Sequence, residues 1–119
     1  MVTVGDVRSL ALSLPRTTEH LIRDRVKFRV GSLVYVAFSR DETIMGFAFP
    51  KEEREALLRS DPGRFSLPVA SDLRYNWVLV HFQQLSRDEL TELVIDAWRM
   101  VVPKRVAAEH LATRLRTVR

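Results

Sequence analysis

Basic side chains occur at every second position of one short segment, and this pattern is the clearest chemical signal in the sequence. The cations are Arg23, Arg25, Lys27 and Arg29, and apolar residues occupy positions 26, 28 and 30 between and after them. Successive side chains of a β-strand point to opposite faces, so a strand here would separate the cations from the apolar residues. The segment therefore predicts a surface strand suited to an anionic partner, although it defines no reaction.

Residue sets that support common kinds of catalysis are missing from the sequence. There is no cysteine, the three histidines do not share metal-ligand spacing, and the four glycines are isolated, which excludes a glycine-rich phosphate loop. Asp72 near Tyr75 could support acid–base chemistry only if a pocket forms around them. We therefore predict a non-enzymatic protein with no catalytic residues, no metal and no cofactor.

Length and composition indicate a single domain over residues 1–119. Hydrophobic residues make up 46% and charged residues 29% of the chain, values typical of soluble globular proteins. No apolar run approaches the roughly 20 residues of a membrane helix. The first residues also lack the basic-then-apolar layout of a signal peptide. We expect a cytoplasmic protein with no membrane partner.

The net charge of +4 is concentrated at the C-terminal end of the chain. Residues 99–119 hold six basic residues and one acid, whereas residues 1–98 hold 13 basic and 14 acidic ones. Lys104 and Arg105 lie near the start of a basic segment at 103–119. This segment either contacts an acidic partner such as nucleic acid or forms a solvated helix end, where cations are favourable.

Helix and strand signals alternate along the chain. A helix is predicted between Thr3, its N-cap, and Pro15, and residues 16–21 are predicted to form a loop. A capping box at Ser86 and Glu89 opens a long helix. Gly31-Ser32 is typical of a type II′ hairpin turn. Strands are predicted at residues 26–30, 33–39, 44–49 and 77–82, and further helices at 51–59 and 106–115.

This order of elements predicts an α+β fold, a two-layer sandwich whose N- and C-terminal helices pack on one face of an antiparallel sheet. The alternation assigns five side chains to the opposite face: Lys27, Arg29, Tyr35, Trp77 and His81. Cations interleaved with aromatic rings are typical of surfaces that bind single-stranded nucleic acid. A solvated protective surface and a dimer contact remain alternative interpretations of this face.

Several short motifs together resemble one known family, over roughly residues 3–105. They are Ala-Leu-Ser-Leu-Pro at 11–15, Thr-Thr-Glu at 17–19, Val-Lys-Phe-Arg-Val-Gly at 26–31, Trp-Val-Leu-Val at 77–80 and the late helix through Trp98. The chain thus resembles the MmcQ/YjbR-like proteins. This resemblance implies a fold similar to CyaY and frataxin, and a DNA-binding function. Lys27 and Trp77 match the Lys-x-Phe and Trp-strand motifs of the family.

The resemblance does not bring the iron binding of frataxin with it. Frataxin-type iron binding relies on an acidic first helix, and here that helix holds Asp6 alone beside Arg8. The family also offers no catalytic residues to carry over.

We therefore expect a DNA-binding module that acts as a monomer or a weak homodimer. Its predicted contacts are Arg25, Lys27, Arg29, Trp77, Lys104 and Arg105. The alternative is a domain that binds a small anion or a protein partner.

Overall fold

The computed structural model describes residues 1–118, and side chains as far as Arg114, and its centre is a six-stranded antiparallel sheet. The strands follow the order β1-β2-β3-β4-β6-β5. Their bounds are β1 Thr17–Ile22, β2 Arg25–Val30, β3 Leu33–Phe38, β4 Met45–Ala48, β5 Phe65–Ser66 and β6 Trp77–Val80. The helices are α1 Val4–Ser13, α2 Arg54–Ser60, α3 Arg87–Arg99 and α4 Lys104–Val118. The predicted α+β class, an antiparallel sheet with N- and C-terminal helices, is confirmed.

Capping residues fix the starts of the two helices that pack against each other. The Thr3 hydroxyl accepts a hydrogen bond from the backbone N–H of Asp6, and the Asp6 carboxylate accepts one from the backbone N–H of Thr3. Ser86 and Glu89 form the same reciprocal pair at α3. These hydrogen bonds confirm both predicted caps. Each capping side chain satisfies a backbone donor that has no partner within the helix.

The helix α4 begins directly after Pro103, two residues earlier than the sequence pattern indicated, and extends to Val118. Proline is compatible with a helix start because the first helical N–H groups have no partner in any case. The basic segment at 103–119 is therefore helical over most of its length, and its last residue, Arg119, lies outside the described residues.

The prediction of a loop at residues 16–21 is wrong, because Thr17–Ile22 forms the edge strand β1. It pairs with β2 from Thr17 opposite Val30 to Ile22 opposite Arg25. The connecting turn consists of Arg23 and Asp24, whose φ angles of 52° and 65° are those that a type I′ turn requires. Sequence reasoning missed this hairpin because neither turn residue is the glycine or asparagine that usually marks it.

Aromatic side chains dominate the core between the inner sheet face and the helices. Phe28, Phe38 and Phe82 form a chain of edge-on contacts, with ring centroids 6.5 and 5.0 Å apart. Trp98 of α3 is fully buried, and its indole N–H donates a hydrogen bond to the carbonyl of Pro15 at 2.9 Å. A buried indole N–H needs an acceptor. This bond therefore also joins α3 to the segment that directly follows α1.

Tyr35 is completely buried, so its predicted place on the outer face is wrong. The pairing of β2 with β3 shifts at this point: Phe28 lies opposite Val36, whereas Arg29 lies opposite Val34. Tyr35 is thus an extra residue, a β-bulge, which interrupts the alternation on which the prediction depended. Its hydroxyl lies 2.8 Å from the Thr17 hydroxyl, and burial raises the pKa of Tyr35 to about 12.

Candidate functional site

Small residues of β3 and β4 lie beside Lys27 at the centre of the outer sheet face, which is the face opposite α1 and α3. The pairing places Lys27, Ala37 and Gly46 side by side on three neighbouring strands. A Cβ atom on Gly46 would lie 2.5 Å from the indole Nε1 of Trp77, so this indole lies directly against the glycine. The lack of a side chain at Gly46 therefore creates the space that Trp77 occupies.

A groove of about 740 Å³ lies over this part of the sheet. Cations from β2 line it on one side, aromatic rings line it on the other, and Asp72 contributes a carboxylate. We call it the outer-face groove. Its lining residues are Arg25, Lys27, Leu33, Val34, Ala37, Ala48, Asp72, Tyr75, Asn76, Trp77, Met100 and Val101. It brings together three of the six predicted contact residues, namely Arg25, Lys27 and Trp77.

Arg54 of α2 holds the aromatic wall of the groove in place. Its guanidinium donates hydrogen bonds to the carbonyls of Leu73 at 2.9 Å, Tyr75 at 3.2 Å and Trp77 at 3.3 Å. Asn76 adds a further link, because its side-chain oxygen accepts the backbone N–H of Lys51 at 3.0 Å. These bonds position an irregular segment that has little regular structure of its own.

The cations in the groove have no carboxylate partners within the described part of the chain. Neither Arg25 nor Lys27 forms an ion pair there, and the neighbouring carboxylate of Asp24 does not form one either. By contrast, Arg64 binds both Asp61 and Glu89. The charges of Arg25 and Lys27 are therefore available to an anionic ligand.

A second, smaller cavity of about 350 Å³ adjoins the groove at the end of the sheet, and we call it the cationic pocket. It shares Arg25 and Lys27 with the groove. Its other lining residues are Ile22, Arg23 and Arg40. Arg40 extends from the loop after β3, and its Nε donates a hydrogen bond to the carbonyl of Arg23 at 3.2 Å.

The other predicted contact residues lie outside the groove. Arg29 lies further along β2, opposite Thr18, and its Nε is buried without a hydrogen-bond partner. Lys104 lines a neighbouring cleft of about 670 Å³. This cleft shares Ala48 and Met100 with the groove. Arg105 is exposed at the start of α4 and lines neither cavity.

His81, which the sequence placed on the outer face of a strand, lies one residue beyond the end of β6 and is exposed. The strand ends at Val80, earlier than the predicted residue 82, because residues 82–84 form a turn of 3₁₀-helix.

Within residues 1–118 no three histidine, aspartate or glutamate residues cluster closely enough to hold a metal ion. None of the described helices combines the length and the apolar character that a membrane span requires.

Comparison with known proteins places the chain in a family. The family model described as YjbR matches residues 12–100, which is most of the chain. The chain belongs to the YjbR family. The predicted resemblance is thereby confirmed, and the match covers both β2 and the segment that carries Trp77.

A solved structure supports the YjbR fold independently. A Deinococcus radiodurans protein, DR2400, with a DUF419 domain superimposes with a TM-score of 0.74 over 92% of this chain and 88% of that protein. Because the two sequences are only 23% identical, the likeness is evidence for the fold alone. No functionally curated protein matches the chain.

Sequence reasoning missed Arg54 as the support of the outer-face groove, Tyr75 as part of its lining and Arg40 as part of the separate cationic pocket. Arg54 contacts carbonyls about 20 residues away in the chain, and such contacts leave no local pattern in the sequence. Of these three residues only Tyr75 has a signal in the sequence, because its position near Asp72 predicts a pair of polar groups if a pocket forms. The pocket exists, and both residues line it.

Proposed function

We propose that this YjbR-family chain is a non-enzymatic module that binds nucleic acid, with a single DNA strand as the ligand that best fits the outer-face groove. One observation carries the proposal: unpaired cations and a partly exposed indole line the same groove. The cations Arg25 and Lys27 would neutralise phosphates, and Trp77 would stack on a base. This division of roles is common to proteins that bind single strands.

Electrostatics would supply most of the affinity, with little sequence readout. Binding of a single strand releases counterions, so affinity falls steeply with salt in proportion to the phosphates neutralised. Stacking on an aromatic side chain adds roughly 1–3 kcal/mol per base and tolerates every base. Both contributions act within one groove, where they reinforce each other.

Substitution of Asp72 tests whether the ligand of the groove is negatively or positively charged. The Asp72 carboxylate lies in the same groove as the cations and would repel a polyanion. Asp72→Asn should therefore strengthen nucleic-acid binding, whereas Lys27→Gln should weaken it. A cationic ligand would reverse both effects.

The second candidate function is the binding of a small anion that carries a planar ring. The volume of the groove favours it, since sites for small molecules typically measure about 300–1,000 Å³. Mononucleotides present the same chemistry as one unit of a strand, so competition between the two distinguishes the candidates.

Fluorescence anisotropy with labelled single- and double-stranded DNA and single-stranded RNA, over a series of salt concentrations, tests the proposal. We expect binding at low salt that weakens linearly on a logarithmic plot. The double variant Arg25→Gln/Lys27→Gln should reduce the slope by about one to two units.

The matched control is Arg16→Gln/Arg59→Gln, which removes two exposed cations away from the groove and should leave the slope nearly unchanged. An absence of binding at low salt would refute the proposal. Equal losses from the groove variant and the control would refute the assignment to the groove. Displacement of the strand by a mononucleotide at equal affinity would favour the small-ligand function.

A further inference from the structure

The cationic pocket concentrates positive charge more strongly than the groove that it adjoins. Arg23, Arg25, Lys27 and Arg40 line it together with the apolar Ile22, and no carboxylate takes part. None of these four side chains forms an ion pair with any residue whose side chain the structure describes. The groove differs, because there Asp72 offsets part of the charge.

A side-chain hydrogen bond and a tight turn hold the shape of the pocket, and neither of them neutralises its positive charges. The Nε of Arg40 donates a hydrogen bond to the carbonyl of Arg23, and this bond joins the loop after β3 to the turn between β1 and β2. The two terminal nitrogens of Arg40 have no hydrogen-bond partner among the described residues and remain available to a ligand. Arg23 and Asp24 have positive φ angles, which set the direction of the turn.

The ligand best suited to four converging cations carries more than one negative charge on a single group. A phosphodiester inside a strand carries one charge, whereas a terminal phosphate monoester carries about 1.5 to 2 at pH 7 and has three acceptor oxygens. Arginine matches such a group well because its planar donors pair with two oxygens at once.

We propose that the cationic pocket binds the terminal phosphate monoester of a strand whose neighbouring base lies in the outer-face groove. The shared residues Arg25 and Lys27 join the two cavities, so one ligand can occupy both. This inference rests on the proposed function and adds recognition of strand ends to it.

The experiment compares one oligonucleotide sequence in three forms: unmodified, phosphorylated at the 5′ end and phosphorylated at the 3′ end. We expect one phosphorylated form to bind at least about fivefold more tightly at pH 7.5. Arg40→Gln and Arg23→Gln should each remove most of this preference and leave binding of the unmodified strand nearly unchanged. Arg16→Gln is the control, because Arg16 is exposed and has a similar positive φ of 67°.

Acidification provides a second readout that general attraction to the backbone would not show. The second pKa of a phosphate monoester is near 6, so the preference should shrink as the pH falls from 7.5 to 5.5. Internal phosphodiesters keep their charge over this range. Binding of the unmodified strand gives the baseline for the titratable groups near the pocket, which include His20 opposite Lys27 on β1.

The outcomes separate this inference from the proposed function. Equal binding of all three forms overturns end recognition and leaves groove binding intact. A preference that survives both arginine variants overturns the assignment to this pocket. Adenosine monophosphate that binds as tightly as the phosphorylated strand overturns the assignment to strand ends. Failure of every form to bind at low salt overturns the proposed function itself.

Discussion

Gly46 is the residue on which the outer-face groove depends most directly. It is buried in the middle of the sheet, and the Trp77 indole occupies the space that any larger side chain would fill. Glycine weakens a strand interior, so its presence there indicates close approach by another group. In this chain the approaching group is the ring that we assign to base stacking.

Gly46→Ala should displace the Trp77 indole and destabilise the protein. The new Cβ would lie 2.5–2.8 Å from three indole atoms, and overpacking of this kind typically costs about 1–3 kcal/mol. Urea denaturation measures the loss of stability, and anisotropy with a single strand should show severalfold weaker binding. Gly63→Ala is the control, because nothing lies within 4 Å of a Cβ there. If both variants behave alike, the packing of Trp77 on Gly46 has no energetic importance.

At the scale of elements, α2 acts on the groove through one side chain. Arg54 lies at the start of this helix, and its three hydrogen bonds fix the carbonyls of the segment that carries Tyr75 and Trp77. The helix contributes no fully buried residue, and its polar contacts add to the packing of the partly buried Leu57 and Leu58 against the core.

Arg54→Met should loosen this segment while it keeps the length of the side chain. We expect a loss of about 1–3 kcal/mol in the free energy of unfolding, since bonds from a charged donor are stronger than neutral ones. Nucleic-acid binding should weaken as well, because the aromatic wall loses its support. The control is Arg59→Met on the same helix, where the side chain is exposed and forms one long ion pair of 3.7 Å with Glu55. Equal effects of the two variants would contradict a positioning role for Arg54.

The cap of α3 makes stability depend on acidity. Hydrogen bonds from Arg64 and from the backbone N–H of Ser86 lower the pKa of Glu89 to about 2. A carboxylate whose pKa is depressed on folding stabilises the protein above its unfolded pKa, near 4.5. That contribution disappears as the pH falls from about 4.5 towards 2.

Glu89→Gln should therefore lower stability at pH 7 by about 0.5–1 kcal/mol, because glutamine keeps the capping hydrogen bond to Ser86 but loses the ion pair with Arg64. The difference from the wild type should shrink as the pH falls below 4.5. Thermal unfolding at several pH values measures both effects. The control is Asp88→Asn, which removes an exposed carboxylate in the same turn and should have a smaller effect on stability. A constant difference across this range would show that Glu89 acts through something other than its charge.

Local signals explain which elements the sequence predicted. Thr3 and Ser86 mark helix starts because each satisfies a backbone donor within a few residues. The strand β1 and the bulge at Tyr35 were missed because both depend on pairing with β2, which the local pattern does not contain.

At the scale of the whole molecule, the groove and the basic helix α4 lie side by side. The cleft lined by Lys104 shares Ala48 and Met100 with the groove, so a strand that leaves the groove on this side would meet Lys104. The sequence predicts contacts at the cations 25, 27, 29, 104 and 105, but it does not show which of them line the same cavity, because this depends on the tertiary fold. Arg25 and Lys27 line the groove, whereas Arg29 and Arg105 lie outside it.

Lys104→Gln should weaken the binding of long strands more than that of short ones. A strand of about four nucleotides fits within the groove, whereas one of about twelve would extend into the neighbouring cleft. Anisotropy with both lengths measures the difference, and we expect a loss of severalfold for the longer strand alone. Arg105→Gln is the control, since it removes a neighbouring charge outside both cavities. The same loss at both lengths would contradict an extended binding path.

The two tryptophans of the chain lie on opposite sides of the sheet. Trp98 is sealed in the core, whereas Trp77 is partly exposed in the outer-face groove. Their emission spectra should therefore differ, with Trp98 emitting at shorter wavelength and Trp77 at longer wavelength. The protein thus contains two intrinsic optical reporters: quenching of Trp77 reports occupancy of the groove, and a red shift of Trp98 reports loss of the core. A single unlabelled sample can distinguish a ligand that binds from one that unfolds the chain.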